Sequence, residues 1–229
     1  MITEENFVDF TCPYCQGDVS FPETEAGRLQ ECPACSESLV VPAAGQAGAK
    51  PPLPAVTSRL KLRRFQAGDW KDLMECAPGL EEEGALAWLE RDAHVRLTSP
   101  EQTFYLGLEL VEGSKLVGYL SLKFTDAERL QAEISCELNG KYEGQGLSEE
   151  AVDALLGFCF KGIGLHRVTA TVVGGGAEGC RLFKEVGMRR EAEFVKSRKL
   201  DGEWVNTVCF AALEEEYGSE PPAGAASQP

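Results

Sequence analysis

Two cysteine pairs with identical spacing, Cys12-Pro-Tyr-Cys15 and Cys32-Pro-Ala-Cys35, govern how the N-terminal segment can fold. A stretch that short cannot bury enough apolar surface to hold itself together, so it needs a cross-link or a metal. Sixteen residues separate the pairs, a spacing that lets two Cys-x-x-Cys turns bring four thiolates around one tetrahedral zinc ion. Binding the ion then supplies folding free energy directly. A redox role is the competing reading, but redox Cys-x-x-Cys pairs come singly on a βαβ unit, and no such unit is legible here. The expectation is a closed, structural Zn2+ site made of Cys12, Cys15, Cys32 and Cys35.

With 229 residues, the chain has room for such a module and one further domain of about 150 residues. No apolar run approaches the roughly 20 residues that span a bilayer, and the N-terminus is acidic where a signal peptide would be basic. A cytoplasmic location without membrane contact is therefore expected. The other five cysteines are scattered singly, as reduced, mostly buried thiols would be. The net charge of -15 repels phosphate backbones and anionic lipid and favours cationic partners. Residues 1–45 hold eight carboxylates against Arg28 alone, so the ribbon lacks a nucleic-acid footprint. A structural role, or docking to a protein partner, is the expectation for it.

Composition divides the chain into a zinc ribbon (1–41), a Pro/Ala/Gly linker (42–57), a folded domain (58–213) and a disordered acidic and Pro/Ala-rich tail (214–229). Within the domain, alternation at 59–63 predicts a strand, with Asp69 as N-cap of a following helix. A helix over 81–97 follows, then strands over 104–111 and 115–124 joined by Glu112-Gly113-Ser114. Next come a strand at 132–138, a helix from Leu147 to about Lys161, a strand at 166–173 and a helix at 180–186. A final hairpin, 191–200 with 204–213, turns on Asp201-Gly202. Antiparallel hairpins with one strand-helix-strand crossover make an α+β fold.

Between the 132–138 strand and its helix lies Glu143-Gly144-Gln145-Gly146-Leu147-Ser148. Glycines ahead of a helix let backbone amides close on a phosphate, though taken alone the pattern suits a bare strand-to-helix turn equally well. The surrounding sequence resembles the GNAT superfamily of N-acetyltransferases, in particular the branch acting on ribosomal-protein N-termini, such as ribosomal-protein-alanine acetyltransferases. The resemblance runs from Arg59 to Leu213 and rests on Arg59-Leu60-Lys61-Leu62-Arg63, Ala132-Glu133-Ile134-Ser135, the glycine loop leading into Glu150-Ala151, and Phe183-Lys184-Glu185-Val186-Gly187-Met188.

The resemblance implies a GNAT-like mixed, mostly antiparallel sheet flanked by helices, and a cleft for acetyl-CoA where two central strands splay. The pantetheine arm would lie near Glu137 and Leu138, and the pyrophosphate on amides from Gly144, Gln145, Gly146, Leu147 and Ser148. Glu137 is the expected general base. The chain departs from the family at Glu143 and Ser148, at Gly176 and Gly179, where an Asn and a Ser are usual, and at Phe183, where a Tyr often protonates the departing thiolate. The implied function is acetyl transfer to a primary amine, a protein N-terminus or a small cationic molecule. The alternative is a catalytically weak or inactive GNAT-fold binding protein recruited through its ribbon. His166 and the three tryptophans have packing explanations, although Trp88 lies in the helical region that borders the acceptor site in related proteins.

Overall fold

The computed structural model describes residues 6–43, 55–97 and 102–218. The ribbon is two short hairpins, β1 (Phe7–Thr11) with β2 (Asp18–Pro22) and β3 (Leu29–Glu31) with β4 (Ser38–Val40). Each Cys-x-x-Cys occupies the tip of one hairpin, and the tips repeat the same hydrogen bonds. Cys12 N–H donates to the Gly17 carbonyl and Cys32 N–H to that of Glu37, while the carbonyls of Cys12 and Cys32 accept from Gln16 and Ser36. A few apolar side chains, among them Val8, Phe10, Val19 and Leu39, form its small core.

The second domain is built on one eight-stranded sheet. Its strands are β5 (Ala55–Val56), β6 (Leu60–Arg63), β7 (Phe104–Leu110), β8 (Leu116–Phe124), β9 (Gln131–Leu138), β10 (Arg167–Val173), β11 (Arg189–Leu200) and β12 (Glu203–Leu213), in the order β11-β12-β10-β9-β8-β7-β6-β5. Among the described residues every pairing is antiparallel except β9 with β10. That parallel pair is connected by a crossover helix, α3 (Leu147–Gly157), as parallel neighbours require. Leu147, Ala151, Val152, Leu155 and Leu156 form the buried stripe of α3. They meet the alternate apolar residues of the central strands, such as Leu106, Leu120 and Ile134. The opposite sheet face is covered by α1 (Trp70–Cys76) and α2 (Glu82–Ala93), where Leu73, Leu89 and Leu116 make a second core. The last helix, α4 (Ala177–Glu185), packs through Leu182 and Phe183.

From β6 onward the sequence-based element order holds; Ala55 and Val56, read from composition as linker, instead form β5 and pair with Leu62 and Lys61 at the sheet edge, and the other deviations have local causes. α2 stops at Ala93 rather than Leu97 because Val95 and Leu97 turn inward and are buried. Arg64 closes the exposed helix end by donating to the carbonyls of Asp92 and Val95. Beyond α3, residues Phe158–Gly162 widen into π spacing, which lets Phe158, Cys159 and Phe160 all be buried in succession. Asp69 does precede α1, but its side chain makes no capping bond there and is gripped by both terminal nitrogens of Arg63. Asp201 and Gly202 both take positive φ, the conformation of a tight two-residue hairpin.

Residues 44–54 and 219–229, most of the linker and most of the tail, lie outside the described residues. Residues 214–218 correct the expectation of disorder at their end of the tail. They form a turn in which Tyr217 packs on Phe160 and donates to the Asp153 carbonyl, so this stretch is anchored to α3 despite its charge.

The ribbon sits at one end of the sheet. Leu29 and Val40 pack against the main core, and the Gly27 carbonyl lies beside Gly164, just ahead of β10. No helix among the described residues is long and apolar enough to cross a membrane.

Candidate active site and metal centre

β9 and β10 pair only from Gln131 with Arg167 to Ile134 with Ala170. Beyond that point both strands continue, β9 to Leu138 and β10 to Val173, without bonding to each other. The outer side of β9 remains tied to β8 as far as Leu138 with Gly118. The sheet therefore opens into a V whose β9 wall presents unpaired backbone from Ser135 to Leu138. Gly118 is required for this wall, because a Cβ there would lie far inside contact distance of the Glu137 carbonyl oxygen.

At the mouth of the V the chain passes through Gly144 and Gly146, both at positive φ, into the first turn of α3. Only glycine takes that conformation without strain. The loop is held from behind by Arg59, whose terminal nitrogens donate to the carbonyls of Gln145 and Gly146 at 2.8 and 2.9 Å. Its Nε meets Glu150 at 2.6 Å. Since the N–H of a peptide points opposite to its carbonyl, fastening those carbonyls aims the next amides, of Gly146 and Leu147, away from Arg59. The helix N-terminus adds the positive end of its dipole. Glu143 is exposed, with its Oε1 3.9 Å from where a Cβ on Gly140 would stand.

Glu137 stands on the α1/α2 face of the sheet, across from Tyr119 on β8. Tyr119 and Tyr105 both pack edge-on against Trp88 of α2, at centroid distances of 5.2 and 5.1 Å. Burial by this wall raises the Glu137 carboxyl above its ordinary range. Alternation along β8 from Gly118 through Leu120 and Leu122 sets those residues in one buried row, and so already places Tyr119 on the opposite face with Ser121; a register irregularity before Gly118 returns Leu116 to the Tyr119 side. Arg59 carried no comparable signal, because its partner lies 91 residues away.

Cys136, next to Glu137, is pushed up to about 12 by burial and the Glu137 charge, so it stays a neutral thiol and a poor nucleophile. Phe183 is buried against Phe210 at a centroid distance of 5.8 Å, and Gly176 is the N-cap of α4. Among the described residues His166 bonds through its backbone: its N–H donates to Leu130 and its carbonyl accepts from Glu214.

In the ribbon, the sulfurs of Cys12, Cys15, Cys32 and Cys35 all lie within 4.8 Å of one another. The Cys12–Cys35 and Cys15–Cys32 separations are 3.9 Å. Four thiolates at zinc bond length stand about 3.8 Å apart, so the cluster fits a tetrahedral ion as it stands. Burial raises the Cys32 thiol, but the N–H groups of Cys35 and Ala34 outweigh it and bring it down to about 7.

The family model described as acetyltransferase (GNAT) domain matches residues 59–189. A Bacillus subtilis (strain 168) protein named uncharacterized N-acetyltransferase YnaD is 29% identical over 166 residues, covering 70% of this chain and 97% of that protein. A GNAT-family acetyltransferase structure from Bacillus anthracis superposes with a TM-score of 0.62 at 27% identity, covering 70% of this chain and 98% of that one. A spermidine N-acetyltransferase from Vibrio cholerae shares the fold, with a TM-score of 0.61 at 16% identity over 70% of this chain and 97% of its own. None of these shares extends over the whole chain. From Arg59 to Arg189, the chain belongs to the GNAT acetyltransferase family of acyl-transferring enzymes, whose fold implies acetyl-CoA as co-substrate.

Proposed function

We propose that this protein is an acetyl-CoA-dependent N-acetyltransferase of a primary amine, with a zinc-stabilised ribbon docked on its catalytic domain. The observation that carries the reading is the V between β9 and β10, with the glycine loop at its mouth and Glu137 on its inner wall. Acetyl-CoA would supply an activated thioester. The unpaired β9 backbone beside Glu137 and Leu138 would hold its extended arm, and the amides from Gly144 to Ser148 its pyrophosphate. Glu137, a stronger base than an ordinary carboxylate because its pKa is raised, would take the proton of an incoming ammonium directly or through water. Holding amine and acyl group together supplies most of the acceleration.

Phe183 cannot donate a proton, so water protonates the departing thiolate. A thiol pKa of about 8.5 makes that step tolerable. The same residue, with Gly176 and Gly179, favours the alternative of a catalytically weak binding protein.

Titration calorimetry with acetyl-CoA, followed by a thiol-release screen of peptide N-termini and polyamines, separates the two readings. Micromolar binding with turnover on any amine supports the transferase; binding without turnover supports the alternative. Gly146→Glu is expected to abolish binding, and unchanged affinity would remove the phosphate-cradle assignment. For the ribbon, the expected zinc content is one ion per chain in protein purified without added metal.

A further inference from the structure

Asn139 stands at the join between the two surfaces assigned to acetyl-CoA. The β9 wall ends just before it at Leu138, and just after it the chain turns through Gly140–Tyr142 toward Gly144 and the glycine loop. The residue is 4% exposed, and each of its polar groups is engaged. Its N–H donates to the Val117 carbonyl at 2.8 Å, which extends the tie to β8 past the Leu138–Gly118 pair. Its carbonyl accepts from Tyr142 N–H at 2.8 Å, and its Oδ1 accepts from Lys141 N–H at 3.0 Å. An asparagine that accepts from the amide two residues on closes a local turn. The direction in which the loop leaves the sheet is therefore set here.

The remaining side-chain atom reaches α1. Asn139 Nδ2 donates to Glu75 Oε2 at 3.2 Å, and Lys141 Nζ meets the same oxygen at 3.2 Å. Glu75 lies in the last turn of α1, which is itself fixed on β8. Asp72 of α1 accepts from Leu116 N–H at 3.1 Å and from Lys115 Nζ at 2.8 Å. From its far side the loop returns to the same place, because Gln145 Nε2 donates to the Lys141 carbonyl at 3.1 Å. Arg59 thus holds the end of the loop next to α3, and Asn139 the end next to β9.

The contact demands an amide at position 139. The side chain accepts from a backbone N–H and at the same time donates to a carboxylate. Asparagine carries an acceptor and a donor on separate atoms, whereas an ionised aspartate carries acceptors only. Aspartate here would set its charge against that of Glu75, and leucine would leave the Lys141 amide without its side-chain partner. The arm and the pyrophosphate of acetyl-CoA belong to one molecule, so the wall and the loop must keep a fixed relation to be filled together. A loop free to shift would have to be ordered at the expense of binding.

We propose that Asn139 is a positioning residue for acetyl-CoA, which fixes the glycine loop relative to the β9 wall, and that Glu75 holds the Asn139 amide in place from α1. The inference rests on the acetyl-CoA reading above.

Calorimetry with acetyl-CoA on the full-length protein, beside thermal melts, tests it. Asn139→Asp is expected to raise Kd about tenfold, since two carboxylates replace a charge-assisted hydrogen bond. Adding Glu75→Gln to that variant is expected to bring Kd back to within about threefold of wild type, because the glutamine amide then donates to the aspartate and the pair is exchanged whole. Glu75→Ala changes a partly exposed side chain and is expected to raise Kd several-fold with little change in Tm. A purely structural Asn139 would lower Tm and leave the Kd of the folded protein where it was. Wild-type Kd in both Asn139→Asp and Glu75→Ala overturns this inference alone, as does a double variant that binds no better than Asn139→Asp. Should Asn139→Asp not fold, Glu75→Ala decides, and an unchanged Kd overturns the inference. Failure of the wild type to bind acetyl-CoA overturns the acetyl-CoA reading and this inference with it.

Discussion

Arg59 and Glu150 meet at 2.6 Å across 91 residues of sequence, and the same guanidinium holds the carbonyls of Gln145 and Gly146. One side chain from the threshold of β6 thus sets the shape of the loop ahead of α3. Glu150 also accepts from Ser58 Oγ and the Arg59 amide, both at 2.9 Å.

Arg59→Ala should therefore weaken acetyl-CoA binding more than it weakens the fold. The Arg59 side chain is about half exposed although that of Glu150 is mostly covered, and ion pairs with an exposed partner contribute about 0–1 kcal/mol to stability. Losing loop order should cost about tenfold in Kd, as one charge-assisted hydrogen bond would. Calorimetry beside thermal melts checks this; a fall in Tm with unchanged Kd would show that Arg59 only supports the fold.

Acid should uncouple the same clamp. Burial alone would raise the Glu150 carboxyl, but hydrogen bonds from Thr57, Arg59 and Ser58 bring it from 4.5 down to about 2. A depressed carboxyl stabilises the fold fully above its unfolded value and progressively less as pH falls toward the folded one. Stability should thus decline between about 4.5 and 2, and Glu150→Gln should be less stable at pH 7 but flatter across that window. Urea midpoints measured in steps of pH give the comparison; parallel wild-type and variant curves would exclude Glu150 as a contributor.

Glu137→Gln should lower kcat/KM by about 10²–10⁴ at neutral pH, the usual range for loss of a general base. Acetyl-CoA affinity should stay put. Because the Glu137 carboxyl is raised by burial, the acid limb of the wild-type profile should fall away above the ordinary carboxylate range. A variant that retains that limb would assign it to another group.

Gly118→Ala should be among the most damaging small substitutions. The added methyl would strike the backbone carbonyl of Glu137, which cannot swing aside as a side chain can. A loss of about 1–3 kcal/mol follows from such overpacking, read by chemical denaturation. Wild-type stability would mean that β8 and β9 yield more readily than their pairing implies.

Chelation under reducing conditions should unfold the ribbon, whose own core is only a handful of side chains. Transferase stability should drop as well, because Leu29 and Val40 leave the main core with it. Far-UV and intrinsic fluorescence melts with and without chelator test this, and superimposable melts would show that the ribbon is independent of metal.

Much of this architecture could be read from local pattern. The cysteine spacing anticipated two equivalent turns, and Asp201-Gly202 anticipated its hairpin, because both are decided within a few residues. The Gly144–Ser148 segment falls where the sequence placed it, running into the first turn of α3. What stayed hidden depends on distant partners. Nothing near Arg59 announces Glu150. Asp69 looked like a cap because capping is local, yet its carboxylate is claimed by Arg63. The facing of Tyr119 was present in the alternation of β8 but acquires meaning only once Glu137 is set opposite.

The parallel seam between β9 and β10 is fastened by four residue pairs, from Gln131–Arg167 to Ile134–Ala170. On either side of it the strands are bonded along much greater lengths. The sheet therefore behaves as two stiff leaves joined by a short spine, and spreading their free edges breaks no backbone bond between them. The ribbon meets both leaves, its Gly27 carbonyl lying beside Gly164 on one and its Tyr14, Glu37 and Ser38 lining a cavity together with Phe65 and Phe104 of the other. Breathing of the gap is thereby tied to the integrity of a module that never enters it.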